Sequence, residues 1–252
     1  IIRKGWGQPS IFNADLVVDE LIRQGKSIED ARSGGTSGCV ETGCFGKEAY
    51  ILTGYMNLPK ILEITLNNGI DPRTGKMIGV ETGDPTQFAS FEELFDAFTR
   101  QLKHLVDIKI KGNNIIERLF ATHVPAPFLS ILIDDCIQSG KDYNDGGARY
   151  NTTYIMGVGI GTLTDSLAAI KYHVFDEKRL TMKQLLLSLR DNFQGQERIR
   201  QMLWNKTPKY GNDDEYADSL LRASSDAFRR AVGGRMNTKG GFYAVNYLST
   251  TC

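Results

Sequence analysis

A thiol and a carboxylate stand two residues apart in a loop that is rich in glycine. The segment 34–46 contains five glycines, and Cys39 and Glu41 are its candidates for chemistry. Because glycine adopts backbone conformations that other residues avoid, such a loop can bring a few side chains to one spot. The pairing predicts a catalytic cysteine beside a carboxylate that transfers a proton. The alternatives are a buried, unreactive thiol and a solvated loop carboxylate.

The histidines and the other cysteines give little support to hydrolase, metal or nucleotide chemistry. A cysteine hydrolase needs a histidine base, and no motif surrounds His104, His123 or His173. The cysteines form no CxxC pair and no ligand-spaced group, so no metal site is predicted. The run 157–161 is not a dinucleotide-binding motif, and no phosphate-binding lysine follows it. A thiol hydrolase with an unidentified histidine stays open as an alternative.

The composition narrows the class of protein. The chain has 252 residues with 30 basic and 30 acidic side chains, so neither nucleic acid nor an anionic membrane is expected as a partner. Its longest apolar runs are too short to span a bilayer. Four cysteines without a disulfide framework indicate reduced thiols and a cytoplasmic location. The chain does not begin with methionine, and we expect it to be an internal piece of a larger protein.

The elements that must position the loop are mostly helices. A strand is predicted over 150–161, where bulky residues alternate with small ones and one face becomes bare backbone. A second strand is predicted over 242–251. Helices are predicted over 14–25, 27–30, 56–68, 90–119, 162–172, 181–193, 196–204 and 213–232. A strand, a helical excursion and a returning strand are typical of an α/β barrel.

Four segments carry a resemblance to a known family. Gly38-Cys39-Val40-Glu41, with its glycine loop, resembles the active-site cysteine loop of the glycyl radical enzymes, the pyruvate formate-lyase family. Residues 3–13 resemble the segment before that loop, and residues 146–151 resemble a later barrel strand. Residues 248–252 resemble the strand that enters the last part of the barrel. The resemblance therefore covers nearly the whole chain.

The resemblance implies a fold and a chemistry. The expected fold is α/β, part of a ten-stranded barrel of two antiparallel five-stranded halves surrounded by helices. Residues 1–252 would form a partial barrel domain without its N-terminal part and without the C-terminal glycine-radical domain. In this family a radical stored on a backbone glycine passes to the cysteine sulfur, and the thiyl radical takes hydrogen from the substrate. Cys39 would thus need a dry cavity more than a low pKa.

The resemblance also implies partners. A separate radical-SAM iron–sulfur activating enzyme would install the glycyl radical, on a glycine outside this chain. The full-length protein would be a homodimer that acts on a small-molecule substrate. This chain alone is expected to be inactive and to bind no cofactor or metal. A catalytically silent relative is the alternative, although the chain retains both Cys39 and Glu41.

The branch of the family is narrowed by the residues around the cysteine. Val40 stands where pyruvate formate-lyase needs a second cysteine, which disfavours formate acetyltransfer. The Cys-x-Glu form resembles the dehydratase, decarboxylase and carbon–sulfur lyase branches, and Thr42 argues mildly against the diol enzymes. Segment 39–50 resembles 4-hydroxyphenylacetate decarboxylase and the isethionate sulfite-lyases. Because residues 242–247 offer no arginine for a sulfonate, arylacetate decarboxylation is the first expectation.

The resemblance gives each candidate residue a role. In a decarboxylase Cys39 would be the thiyl or proton donor, and Glu41 would exchange a proton with the substrate. In a lyase the thiyl would abstract hydrogen next to the bond that breaks, and Glu41 would take the proton released with the leaving group. Ordinary barrel packing is the alternative for the five candidate pocket residues, which are Asn151, Thr153, Phe242, Asn246 and Tyr247.

Overall fold

The computed structural model describes residues 11–38 and 40–248 of the chain. The helices are α1 (Ala14–Arg23), α2 (Ile28–Arg32), α3 (Leu58–Leu66), α4 (Phe91–His123), α5 (Pro127–Ser130), α6 (Cys136–Ser139), α7 (Ile160–Ile170), α8 (Met182–Arg190), α9 (Glu197–Lys206) and α10 (Glu215–Val232). The strands are β1 (Gly34–Thr36), β2 (Thr42–Cys44), β3 (Glu48–Asn57), β4 (Ile70–Asp71), β5 (Lys76–Met77), β6 (Tyr150–Val158) and β7 (Phe242–Leu248).

Polar caps set the start of several helices. The side chain of Asn13 accepts hydrogen bonds from the backbone N–H groups of Asp15 and Leu16, which starts α1. Ser27 caps α2 in the same way. Thr181 and Gln184 form a reciprocal capping box at α8. These side chains satisfy N–H groups that the first turn of a helix leaves without partners.

The chain divides into two compact units. The first comprises Ile1–Met56, Ile108–Val158 and Val232–Cys252, and the second comprises Asn57–Asp107 and Gly159–Ala231. Helix α4 contributes residues to both units. The glycine-rich loop and all five candidate pocket residues belong to the first unit.

A three-stranded sheet forms the centre of the first unit. Strand β6 lies between β3 and β7, and β6 and β7 are parallel, with Thr152 opposite Phe242 and Met156 opposite Asn246. Five successive residues, Thr152 to Met156, are at most 1% exposed. A strand buried in this way has material packed on both of its faces. The first unit is therefore a mixed helix and sheet structure built on β6.

The glycine-rich loop contains a small hairpin. Strands β1 and β2 pair antiparallel, with Gly34 opposite Cys44 and Thr36 opposite Thr42. Cys44 is fully buried in a cluster with Leu21 of α1 and Ala31 of α2. The end of the hairpin at Cys44 is thus held by α1 and α2, and Ser37 and Glu41 lie next to its other end.

The second unit is mainly helical. Helix α3 packs against α7, and Gly159, with a φ of +77°, turns the chain into α7. A π-helical segment, Lys171–Asp176, follows α7 and contains the fully buried His173. A groove of about 820 Å³ lies in this unit, and seven of its eighteen lining residues are leucines. None of the candidate site residues lines it.

Most of the predicted elements are confirmed. The long amphipathic helix is present as α4, and the strand from Tyr150 is present as β6, although it ends at Val158. Strand β3 was not predicted, because its residues were read only as an apolar stretch before a helix. That helix, α3, begins at Leu58 rather than at Met56 because Asn57 caps it. The last strand is described only to Leu248.

Two kinds of feature are absent from the described residues. No helix in the ranges 11–38 and 40–248 is both long and apolar enough to cross a membrane. In the same ranges, no cluster of three or more His, Cys, Asp or Glu side chains could hold a metal ion.

Candidate active site

Backbone hydrogen bonds join Ser37, Val40 and Glu41 at the end of the hairpin. The N–H of Ser37 donates to the carbonyl of Glu41 at 2.8 Å, and the N–H of Val40 donates to the carbonyl of Ser37 at 3.1 Å. Val40 has a φ of +67°, a left-handed conformation that a β-branched residue rarely adopts. Cys39, the predicted radical carrier, lies outside the described residues. A strained backbone conformation such as that of Val40 is found most often at functional sites.

The carboxylate of Glu41 is buried beside strand β7. Glu41 is 4% exposed. The hydroxyl of Ser37 donates to Oε2, and Nδ2 of Asn246 donates to Oε1 at 3.3 Å. Asn246 thereby joins Glu41 to β7, across 205 residues of sequence. A buried carboxylate held at both oxygens can exchange a proton at a fixed position.

Tyr154 anchors the hairpin to the central strand at the end next to Glu41. Its hydroxyl donates to the carbonyl of Thr42 and also lies 2.9 Å from the Thr42 hydroxyl. Burial raises the pKa of Tyr154 to about 12. The phenol is therefore a neutral donor at physiological pH, and it fixes β2 one residue after Glu41.

A buried ion pair lies under the same hairpin. Lys26 Nζ is 3.0 Å from Oε1 of Glu48, and the two side chains are 1% and 0% exposed. Oε2 of Glu48 accepts the backbone N–H of Cys44 at 2.9 Å, and Thr152 donates to Oε1 at 2.5 Å. The pair therefore ties β2 to β3 and β6, since Glu48 and Thr152 lie on those strands.

A second group of charged side chains surrounds Asp30, in the middle of α2. Lys47 Nζ lies 2.5 Å from Asp30 Oδ1, the hydroxyl of Tyr150 donates at 2.8 Å, and Arg149 lies at 3.3 Å. The hydrogen bond from Lys47 is the largest cause that lowers the pKa of Asp30 to about 2. Arg149, in a segment singled out by the family resemblance, therefore serves here in an ion-pair network.

The five candidate pocket residues do not lie together. Residues opposite one another in β6 and β7 share a face of the sheet. Phe242 and Asn246 lie on the face of Thr152 and Met156, which is also the face that Glu41 contacts. The structure places three of the candidates on the opposite face, and these are Asn151, Thr153 and Tyr247.

The opposite face is occupied by helix α4. Thr153 is fully buried and donates to Oε1 of Glu117 at 2.5 Å. Lys239 completes this group, with Nζ at 2.8 Å from Glu117. Thr153 therefore hydrogen-bonds to a side chain of α4, and the structure does not bring it near Glu41.

Sequence reasoning missed the residues that hold the loop. Ser37 could have been noticed, because it stands four residues before Glu41 in the same loop. Tyr154 and Lys26 carried no local signal, since their partners are distant in the sequence. Cys44 is fully buried, and burial raises the pKa of its thiol to about 11.

Comparison with known proteins identifies the family. The pyruvate formate lyase-like family model matches residues 1–252. Trans-4-hydroxy-L-proline dehydratase of Clostridioides difficile is 61% identical over 252 residues, which are 100% of this chain and 32% of the dehydratase. The crystal structure of that enzyme with trans-4-hydroxy-L-proline bound superposes with a TM-score of 0.95, over 98% of this chain and 31% of the other.

More distant relatives carry other activities. Isethionate sulfite-lyase of Oleidesulfovibrio alaskensis is 36% identical over 99% of this chain and 30% of its own length. The glycyl radical subunit of 4-hydroxyphenylacetate decarboxylase of Clostridium scatologenes is 27% identical over 87% of this chain and 29% of its own. The chain spans about a third of the length of the curated relatives it matches. It belongs to the pyruvate formate lyase-like family of glycyl radical enzymes.

Proposed function

We propose that this chain is the cysteine-loop portion of a glycyl radical dehydratase that removes water from a small hydroxylated substrate, of the trans-4-hydroxyproline type. The observation that carries the proposal is the 61% identity to trans-4-hydroxy-L-proline dehydratase along the whole chain. The first expectation from the sequence, arylacetate decarboxylation, has weaker support, because the decarboxylase is only 27% identical. Carbon–sulfur cleavage is the second candidate, supported by 36% identity to isethionate sulfite-lyase.

The proposal includes the fold, the partners and the location that the family implies. The central sheet would be part of the ten-stranded barrel, and the radical would be stored on a glycine outside this chain. A radical-SAM activating enzyme, a homodimeric state and a cytoplasmic location belong to the same proposal. The parallel pairing of β6 and β7 and the packing on both of their faces support a barrel wall.

Cys39 and Glu41 have separate tasks in the proposed reaction. The glycyl radical supplies the radical that the Cys39 sulfur carries. Cys39 takes a hydrogen atom from the substrate carbon next to the carbon that bears the hydroxyl. Glu41 gives a proton to that hydroxyl, and the carbon–oxygen bond breaks with release of water. The substrate radical then returns a proton to Glu41, and the Cys39 S–H returns the hydrogen atom to the product.

The burial of Glu41 supports its task. A carboxylate that is 4% exposed exchanges its proton with a bound substrate rather than with bulk water. Among the described residues, its two side-chain hydrogen bonds come from a hydroxyl and an amide, and both of these groups are neutral. Asn246 and Phe242 remain pocket-wall candidates on this face of the sheet.

The test uses the intact protein under anaerobic conditions with its activating enzyme. Formation of the glycyl radical is followed by electron spin resonance, and turnover is measured with trans-4-hydroxyproline, isethionate and 4-hydroxyphenylacetate. We expect dehydration of hydroxyproline. Cys39→Ser should leave the radical formed and abolish turnover. Glu41→Gln should lower turnover by about 10²–10⁴-fold with the radical intact, the range of one general acid or base.

Two outcomes would contradict the proposal. Turnover of isethionate or 4-hydroxyphenylacetate without turnover of hydroxyproline would assign the chain to another branch. A Glu41→Gln variant with normal turnover would remove the proton-carrier role. Ser219→Ala is the matched control, because this exposed hydroxyl only donates to the carbonyl of Tyr216 within α10.

A further inference from the structure

The chain holds three buried glutamates among its described residues, and they have different partners. Glu48 is paired with Lys26 at 3.0 Å, and Glu117 is paired with Lys239 at 2.8 Å. A lysine ammonium can only donate hydrogen bonds, so it favours the ionised carboxylate. Within the described part of the chain, these ion pairs have no counterpart at Glu41.

The partners of Glu41 can both donate and accept. The Ser37 hydroxyl can turn its hydrogen toward a carboxylate or receive the hydrogen of a carboxylic acid. The Asn246 amide offers the same choice, because a half-turn of the amide exchanges its NH₂ group for its oxygen. Neither partner therefore requires Glu41 to stay in one protonation state.

The amide of Asn246 also has an unused acceptor. Its Oδ1 atom is buried and has no hydrogen-bond partner among residues 11–38 and 40–248. A buried polar atom without a partner is uncommon and calls for an explanation. Because Oδ1 accepts no hydrogen bond within the described chain, a half-turn of the amide would not break a hydrogen bond to Oδ1 there.

We propose that Asn246 is a positioning residue that holds Glu41 in both of its protonation states. When Glu41 is ionised, Nδ2 of Asn246 donates to Oε1, as observed. When Glu41 carries the proton, the O–H of its carboxylic acid donates a hydrogen bond to Oδ1 of the turned amide. Glu41 can then give and take a proton without leaving its place. This inference rests on the proposed role of Glu41 as the proton carrier.

Tyr50 of β3 is a titratable group that interacts electrostatically with Glu41. Burial, together with the carboxylates of Glu48 and Glu41, raises the pKa of Tyr50. The loop itself contributes Cys39, which lies outside the described residues. Asn246 is the neutral partner from β7. A change at Asn246 should thus be visible in the pH dependence that Glu41 gives to turnover.

The test compares two variants of the intact, activated protein. Asn246→Leu has a similar size and no hydrogen-bonding group, and we expect kcat to fall about 10–100-fold with KM within about threefold. Asn246→Asp places a second carboxylate beside Glu41, so the limb of the pH–rate profile that reports Glu41 should move up by about one pH unit or more. The glycyl radical signal should be unchanged in both.

Asn113→Leu is the matched control. Asn113 is 3% exposed and donates to the Thr53 hydroxyl at 2.7 Å, away from Glu41. Its variant should keep the wild-type pH profile even if it unfolds at a lower temperature. The inference is overturned if Asn246→Leu keeps wild-type kcat, or if Asn246→Asp leaves the pH profile in place. It also fails if Asn113→Leu changes that profile equally.

The two proposals can fail separately. If the wild-type protein cleaves a sulfonate or a carboxylate rather than hydroxyproline, the proposed dehydratase function fails. The variants of Asn246 are then measured with that substrate, and the same shift in the pH profile would still support the positioning role. A normal profile with a confirmed dehydratase activity would overturn only the inference about Asn246.

Discussion

The buried pair of Lys26 and Glu48 gives the most direct test of how the loop is held. Replacement of Glu48 by glutamine keeps the size of the side chain and removes its charge. Lys26 then remains as a buried cation whose nearest acceptors are neutral, Gln24 Oε1 at 2.8 Å and Thr152 Oγ1 at 3.2 Å. The variant should therefore weaken the contact between the hairpin and β6.

The size of the effect follows from the burial. Breaking a buried ion pair by removal of one partner costs about 3–5 kcal/mol. The neutral acceptors around Lys26 favour the lower end, about 3 kcal/mol, which is roughly a 100-fold change in an opening equilibrium. In Lys26→Met/Glu48→Gln no charge is stranded, so its cost should be smaller than the sum of the single variants by at least about 2 kcal/mol.

Native-state hydrogen exchange is the assay, since it reports local opening in a large protein. Peptides that contain Cys44 should exchange roughly 100-fold faster in Glu48→Gln. Glu197→Gln is the control, because its pair with Arg200 is exposed and such pairs contribute only about 0–1 kcal/mol. Acceleration below about fivefold at Cys44, or strictly additive single variants, would refute the reasoning.

Two further predictions concern single positions. Burial lowers the pKa of His173 below its ordinary value of 6.5, so the unfolded chain binds a proton that the native state resists. Stability should therefore fall as the pH drops below about 6.5, and His173→Gln should flatten this dependence in thermal unfolding between about pH 5 and 8. Gly43→Ala should lower turnover by more than about tenfold, because the added Cβ would lie 2.3 Å from the Tyr50 ring. Gly38→Ala meets nothing within 4 Å and should change turnover much less, so equal losses would contradict the steric explanation.

Local signals were sufficient for most of the helices. Caps at Asn13, Ser27 and Thr181 are readable because each acts on residues two or three positions away. Strand β3 was missed, since an apolar stretch of that length fits a helix or a strand until its neighbours are known. The facing of β6 and β7 likewise depends on their register, which puts Thr153 on the helix side and Asn246 beside Glu41.

The sequence by itself determined the family, because the residues of the cysteine loop are contiguous. The roles of Cys39 and Glu41 in the chemistry stay predictions. That Val40 disfavours formate acetyltransfer also stays a prediction. Only the tertiary structure decided which side chains hold Glu41 and the hairpin that carries it. Asn246 and Tyr154 reach the loop from strands more than 100 residues away. Such contacts are set by packing between distant segments, and no local pattern encodes them.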